Sequence, residues 1–271
     1  MKTFLGVVRY EYRMSTRRLG LWIAFGIVTL PYLSMIQLGG ADSQSAVSNQ
    51  ELWPLLGQMI FQFNLFMPVV AGIAIADRLV RDSRLGIDEI LRSTRLNNWS
   101  YLLGKYVGSL LSILTPVFLF TLFFTLMMLI TGMPILVVWI TFLAFLTIIV
   151  PAFAFITIFS LACPLVMPVR VYQVLFTGYW FWGNFLNSQF LPTISDTYLS
   201  AAGKYACRGF FNGCIWSGSP LEGRTSLDAW LNIAVLGVCI LIALIITERY
   251  LAWRSGSLSV RPSAIPAESH G

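Results

Sequence analysis

Residues 77–105 hold ten of the chain's 30 charged side chains. Within them Ile87, Ile90 and Leu91 recur at spacings of three and four, the pattern of a short amphipathic helix. Asp88 and Glu89 stand on its polar side, where acids in a first turn suit the positive end of the helix dipole. Arg84, Arg92 and Arg95 flank it, with Gly86 at its start and Ser93 at its end. Asn97, Asn98 and Ser100 mark a turn, and Lys105 is expected to cap the edge of the next element. Such a segment docks rather than catalyses. It is either an interfacial loop that pins two neighbouring elements or a peg that inserts into a partner, and the residues alone leave both open.

Three other groups carry chemical possibility. In residues 3–18, Arg9, Arg13 and Arg17 recur every fourth position and form one cationic stripe. Phe4, Val8 and Tyr12 form a neighbouring apolar stripe, with Leu5 beside it. This pattern is that of a helix lying in a membrane interface, its arginines at anionic headgroups and its apolar side in lipid. The bland alternative is a positive flank that only sets topology. Glu11 is the one acid there, away from the arginine stripe, and Arg18 or another protein is its expected partner. In residues 171–191, Gln173, Tyr179, Trp180, Trp182 and Asn184 are polar or amphipathic in an apolar run. They line a substrate route or form an aromatic belt at the outer interface. Cys207 and Cys214 are either bridged or two free thiols in a buried loop.

Bond-making chemistry finds little support. No Gly-x-x-x-x-Gly-Lys-Ser/Thr occurs, so there is no phosphate cradle. Gly-x-Ser-x-Gly and His-Glu-x-x-His are absent, the single histidine is His270, and no cysteine spacing resembles a zinc site. The chain is therefore expected to be neither an enzyme nor a holder of metal or cofactor.

The elements that position these residues follow from composition. The chain is 57% apolar and 11% charged, against about 25% charged in ordinary soluble domains. A water-soluble globule and a disordered chain are both excluded on that ground. A bilayer core needs about 20 apolar residues as a helix. Six runs qualify: 19–38, 53–76, 106–130, 135–162, 171–191 and 229–251. They do not alternate as barrel strands do. The first run is too long for a signal peptide, with no clean cleavage site after it, and is expected to be retained. Residues 1–253 are thus expected to form one all-α integral membrane domain of six transmembrane helices, with 254–271 a flexible cytoplasmic tail.

With six spans, fifteen of the 18 Lys and Arg fall on the side of the termini and only Lys204, Arg208 and Arg224 fall opposite. Positive charge marks the cytoplasmic side. The expectation is a multi-pass protein of the plasma (inner) membrane with both termini and residues 77–105 in the cytoplasm. Nucleic acid is a poor partner, because no basic run lies beside exposed aromatic stacking platforms. The 37-residue connection 192–228 is too long for a bare loop and too apolar for water. It is expected to dip back into the membrane.

The order of parts resembles the permeases of type-two ATP-binding-cassette (ABC) transporters. Arg9-Tyr-Glu11 followed by Arg17-Arg18 is similar to the family's N-terminal segment. Asp82, Gly86, Asp88, Glu89, Leu91, Ser93, Thr94, Tyr101, Gly104 and Lys105 are similar to its loop between the second and third spans. Arg95 departs from a position where the family often has Pro, which shifts the end of the peg by a residue or two. The resemblance implies that 84–98 is a coupling peg docking in a cleft of an ATPase subunit, with ATP and Mg held there and none on this chain. It further implies two ATPase subunits, a second permease copy or sister permease meeting near the first and fifth spans, and short re-entrant helices in 192–228. The expected function is export of a hydrophobic or amphipathic molecule, in contact with membrane lipid. The rivals are an ATPase-independent transporter or channel and a non-transporting assembly subunit.

Overall fold

The computed structural model describes residues 2–40, 48–84, 97–186, 191–214 and 223–259. Every regular element among the described residues is a helix: α1 (Lys2–Thr16), α2 (Leu19–Gly40), α3 (Asn49–Ile75), α4 (Arg78–Arg84), α5 (Asn98–Ile130), α6 (Leu136–Ala144), α7 (Val150–Ala162), α8 (Val169–Asn184), α9 (Lys204–Phe211) and α10 (Ser226–Ser259). A π turn, Phe145–Ile149, joins α6 to α7 in one rod. Pro151 accounts for it, since it has no N–H to return to the Thr147 carbonyl, and the Val150 N–H bonds the Phe145 carbonyl instead.

Four helices among the described residues are long and apolar enough to cross a bilayer: Asn49–Asp82, Asn98–Ile130, Leu136–Leu165 and Ser226–Arg254. Their outward faces carry rows of apolar side chains, as at Val238, Leu241 and Ile245 on α10, each about half exposed. Water does not tolerate such a surface, and lipid does. The two remaining expected spans differ from these four. α2 runs for 22 residues, of which Leu19–Pro31 forms a short apolar helix. α8 is 16 residues long and ends at Asn184 rather than at 191. At about 1.5 Å per residue it covers about 24 Å, less than a full hydrocarbon core of about 30 Å.

α3 is the hub. It packs against α2, α5, α6, α7, α8 and α9. Leu52, Leu56, Ile60, Met67, Ala71 and Ile75 on it are fully buried. Near its middle Asn64 is also fully buried. Asn64 follows the start of α3 by about four turns, or about 22 Å.

The long connection after α8 folds inward, as its apolar residues require. Ala202, Tyr205, Ala206, Cys207 and Phe211 are buried, and α9 packs on α3 and α10. Asparagines from three helices hold its first turn. The Asn64 amide donates to the Ala202 carbonyl at 2.8 Å, with a long contact to the Ile148 carbonyl in the π turn at 3.5 Å. The Asn184 carbonyl oxygen accepts from Ser200 Oγ and the Ala202 N–H, each at 3.2 Å. The Asn232 amide donates to the carbonyls of Tyr198 and Ser200 at 2.8 and 3.0 Å. This turn therefore reaches the level of the middle of α3. α9 is the one helix described within the connection, and residues 215–222 lie outside the described residues.

Cys207 and Cys214 are joined by a disulfide, while Cys163 and Cys239 are free. Alkylation of the denatured chain without reductant is expected to add two adducts, at Cys163 and Cys239, and reduction is expected to expose two more. Four adducts without reductant, measured by intact mass, would contradict the bridge.

Candidate functional site

The polar centre of the molecule forms where α1 lies along α5. Gly104, Gly108 and Ser112 recur every fourth residue on α5 and make a flat track. A Cβ on Gly104 would stand 2.9 Å from the Val7 side chain. A Cβ on Gly108 would stand 2.8 Å from Glu11 Cβ and 2.9 Å from the Val8 carbonyl. Only small residues permit this approach, as in membrane helix pairs generally. The track carries Glu11 into the interior, where it is 3% exposed.

Glu11 is met there by two cations. Arg78 at the start of α4 donates from Nη1 to Glu11 Oε1 at 2.9 Å. Lys105 on α5 places its ammonium 3.7 Å from Glu11 Oε2 and pairs closely with Asp82 on α4. The Tyr101 hydroxyl donates to the same Asp82 oxygen at 2.8 Å. Hydroxyls complete the set. Arg78 Nη2 donates to Ser15 Oγ, Ser15 donates to Ser112 at 2.6 Å, and Ser112 donates to the Ser109 carbonyl at 2.7 Å. Ser109 Oγ reaches Glu11 Oε1 at 3.4 Å. Arg78 and Lys105 are 2% and 1% exposed.

Two acids and two bases balance, so the cluster is neutral as a unit. No one of them could lose its partner cheaply, because breaking a buried pair leaves an uncompensated charge. The arrangement suits mechanical work. Asp82 lies just before the end of α4, and Tyr101 and Lys105 lie at the beginning of α5. Their contacts close the two stems of the 85–96 segment on each other, and Glu11 ties α1 to both.

Several sequence expectations change. Within the chain Glu11 pairs with Arg78 and Lys105 rather than with Arg18. Lys105 is buried in the cluster rather than capping an exposed edge. α1 lies on α5 through the Val7 and Glu11 side chains and the Phe4 and Val8 carbonyls, leaving Phe4 and Val8 half-buried, and Tyr12 reaches Thr115 at 3.2 Å. The glycine track is the cause: it offers α1 a closer fit than lipid does. Arg9, Arg13 and Arg17 are exposed on the opposite side. Arg84 ends α4, whereas Gly86, Asp88, Glu89, Leu91, Arg92, Ser93 and Arg95 lie outside the described residues.

The α8 residues split in two. Trp180 is fully buried and donates to the Leu65 carbonyl on α3 at 2.7 Å, and Asn184 is buried against the turn at residues 200–202. Gln173 is half-buried and bonds the Ile73 carbonyl at 3.2 Å. Tyr179 and Trp182 are exposed, at 39% and 40%. Within this chain the five therefore stand in different environments, Trp180 and Asn184 inside the helix packing and Tyr179 and Trp182 on its surface. Sequence reasoning missed Arg78, Ser15, Ser109, Ser112, Asn64 and Asn232. The four-residue spacing of 104, 108 and 112 was the available signal for Ser15, Ser109 and Ser112, since it marks a docking track for a second helix, and no local signal pointed to Arg78.

No protein-family model matches the chain, and no curated protein matches it.

The cluster is open to a double-mutant cycle in a denaturant titration of the detergent-solubilised chain. Glu11→Gln is expected to cost about 3–5 kcal/mol, whereas exposed Arg9→Gln should stay within about 0.5 kcal/mol. Glu11→Gln and Arg78→Gln combined should cost clearly less than the two single losses added together. Strict additivity would show that the pair does not interact.

Proposed function

We propose that the chain is the membrane-spanning permease subunit of a type-two ABC transporter, and that it exports a hydrophobic or amphipathic molecule. One observation carries the reading. Glu11, Asp82, Tyr101, Gly104 and Lys105, scattered in sequence and all part of the resemblance to that family, meet in one place. That place is the base of the 85–96 segment. A peg that transmits force needs a base that does not yield, and a buried, mutually paired set of charges supplies it.

In this reading α2 and α8 complete six spans with the four long helices, and both termini face the cytoplasm. The disulfide side is then the outer side, in keeping with the oxidising compartments where such bonds persist. The cargo class follows from the apolar character of the spans. ATP is bound and split on two partner ATPase subunits, and a second permease copy or a sister chain completes the complex. Closure of the ATPase pair pushes on residues 84–98. The clasp passes that push to α1, α4 and α5 together, so these elements tilt as one body. Rigid-body tilting of this kind is a common way for packed helices to switch between two arrangements. The outer turn held by Asn64, Asn184 and Asn232 then seals the outward end of the path.

Affinity capture of the tagged chain from its native membrane is expected to bring down an ATP-hydrolysing subunit. Replacing Asp88, Glu89 and Leu91 together with Ala should reduce transport-coupled ATP turnover at least about tenfold, the effect of losing about 1.4 kcal/mol or more of coupling. Membrane insertion should be unchanged. Full turnover in the triple variant would overturn the assignment of the peg.

A further inference from the structure

A groove of about 390 Å³ opens between the start of α2 and the end of α3. Gly20, Ala24, Val70 and Ile73 wall it, and Arg18 and Arg78 stand among its lining residues. Each guanidinium keeps a buried N–H without a partner, Nη2 of Arg18 and Nε of Arg78. Arg78 is 2% exposed, and its remaining nitrogens are occupied by Glu11 and Ser15. Arg18 has one loose ion pair, 3.7 Å to the half-exposed Asp77. An unpaired buried donor costs about 1–3 kcal/mol. Two of them beside one apolar groove amount to an anion site with a hydrocarbon wall.

We infer that this groove binds the phosphate of an anionic phospholipid from the leaflet in which α1 lies. The phosphate oxygens accept from Arg18 and Arg78, and the first carbons of the lipid lie on Ala24, Val70 and Ile73. The volume suits a headgroup and the start of its chains, while the chains continue along Ile23 and Ile27, which are exposed on α2 at 52% and 61%. The adjoining exposed stripe of Arg9, Arg13 and Arg17, which leads along α1 to Arg18, attracts anionic lipid toward the groove. Basic pockets between membrane helices on the positive side commonly take such headgroups. Because Arg78 also holds Glu11, the bound lipid touches the cluster that fixes α1 to α4 and α5. The inference is independent of the transport reading, since it needs neither an ATPase nor a cargo.

The test is native mass spectrometry of the full chain in mild detergent, titrated separately with dioleoyl phosphatidylglycerol, dioleoyl phosphatidylcholine and sodium phosphate. Phosphatidylglycerol is expected to bind one per chain, at least about fivefold tighter than phosphatidylcholine, roughly the worth of one Arg near an anionic headgroup. Arg18→Gln should remove that preference. Gly20→Leu should block the site by filling the groove, and the backbone accepts it because a Cβ there meets nothing within 4 Å. Millimolar phosphate should not displace the lipid. Equal binding of the two lipids, an unchanged preference in Arg18→Gln, or displacement by phosphate alone would each overturn the assignment.

Discussion

Charges removed from water must answer one another, and this requirement shapes the half of the molecule built on α1, α4 and the start of α5. Burying Glu11 or Arg78 alone would leave an uncompensated charge, yet a Glu11–Arg78 contact of 2.9 Å with Lys105 and Asp82 alongside leaves no net charge. Removing any one of the four would strand its neighbours. The position of α1 on α5 and the closeness of the stems of the 85–96 segment both depend on the set remaining whole. The glycines at 104 and 108 are as necessary as the charges, since with side chains there Glu11 would not reach its partners.

The half around the turn at residues 200–202 solves a similar problem without charge. A chain that folds back toward the middle of a helical body carries backbone carbonyls and N–H groups into a place without water. Asn64, Asn184 and Asn232 satisfy them from three directions. Asparagine can both donate and accept, so it joins backbone to backbone without the desolvation cost of an ion. The two halves share α3, which carries Asn64 at its middle and leads through a tight turn to Arg78. A displacement at the Arg78 end of α3 therefore has a continuous path to the turn held by Asn64 through packed helices.

Sequence periodicity reveals long apolar helices directly, because lipid demands an unbroken run of apolar residues. Four of these stand in the structure as helices long enough to span. α8 was harder to bound: its aromatic and amide residues continue past Asn184 in the same composition, but the chain turns there because Asn184 is engaged by Ser200 and Ala202. The ion cluster was only half legible. Glu11 stood out as a lone acid among arginines, but its partners lie 67 and 94 positions away and nothing local names them. Helical-wheel reasoning gave the apolar face of α1 to lipid because it cannot see the second helix that competes for that face. The small residues of α5 were visible, and their spacing was the clue to that competitor.

The central claim is that force enters this chain from a separate cytoplasmic protein through the segment standing on the Glu11, Arg78, Asp82 and Lys105 cluster. A photo-crosslinking amino acid at position 91, activated in intact cells, addresses this directly. The account requires a covalent adduct with a soluble, ATP-hydrolysing subunit, formed at position 91 and not at exposed Arg9. Adducts formed only with lipid or with the chain itself would contradict it.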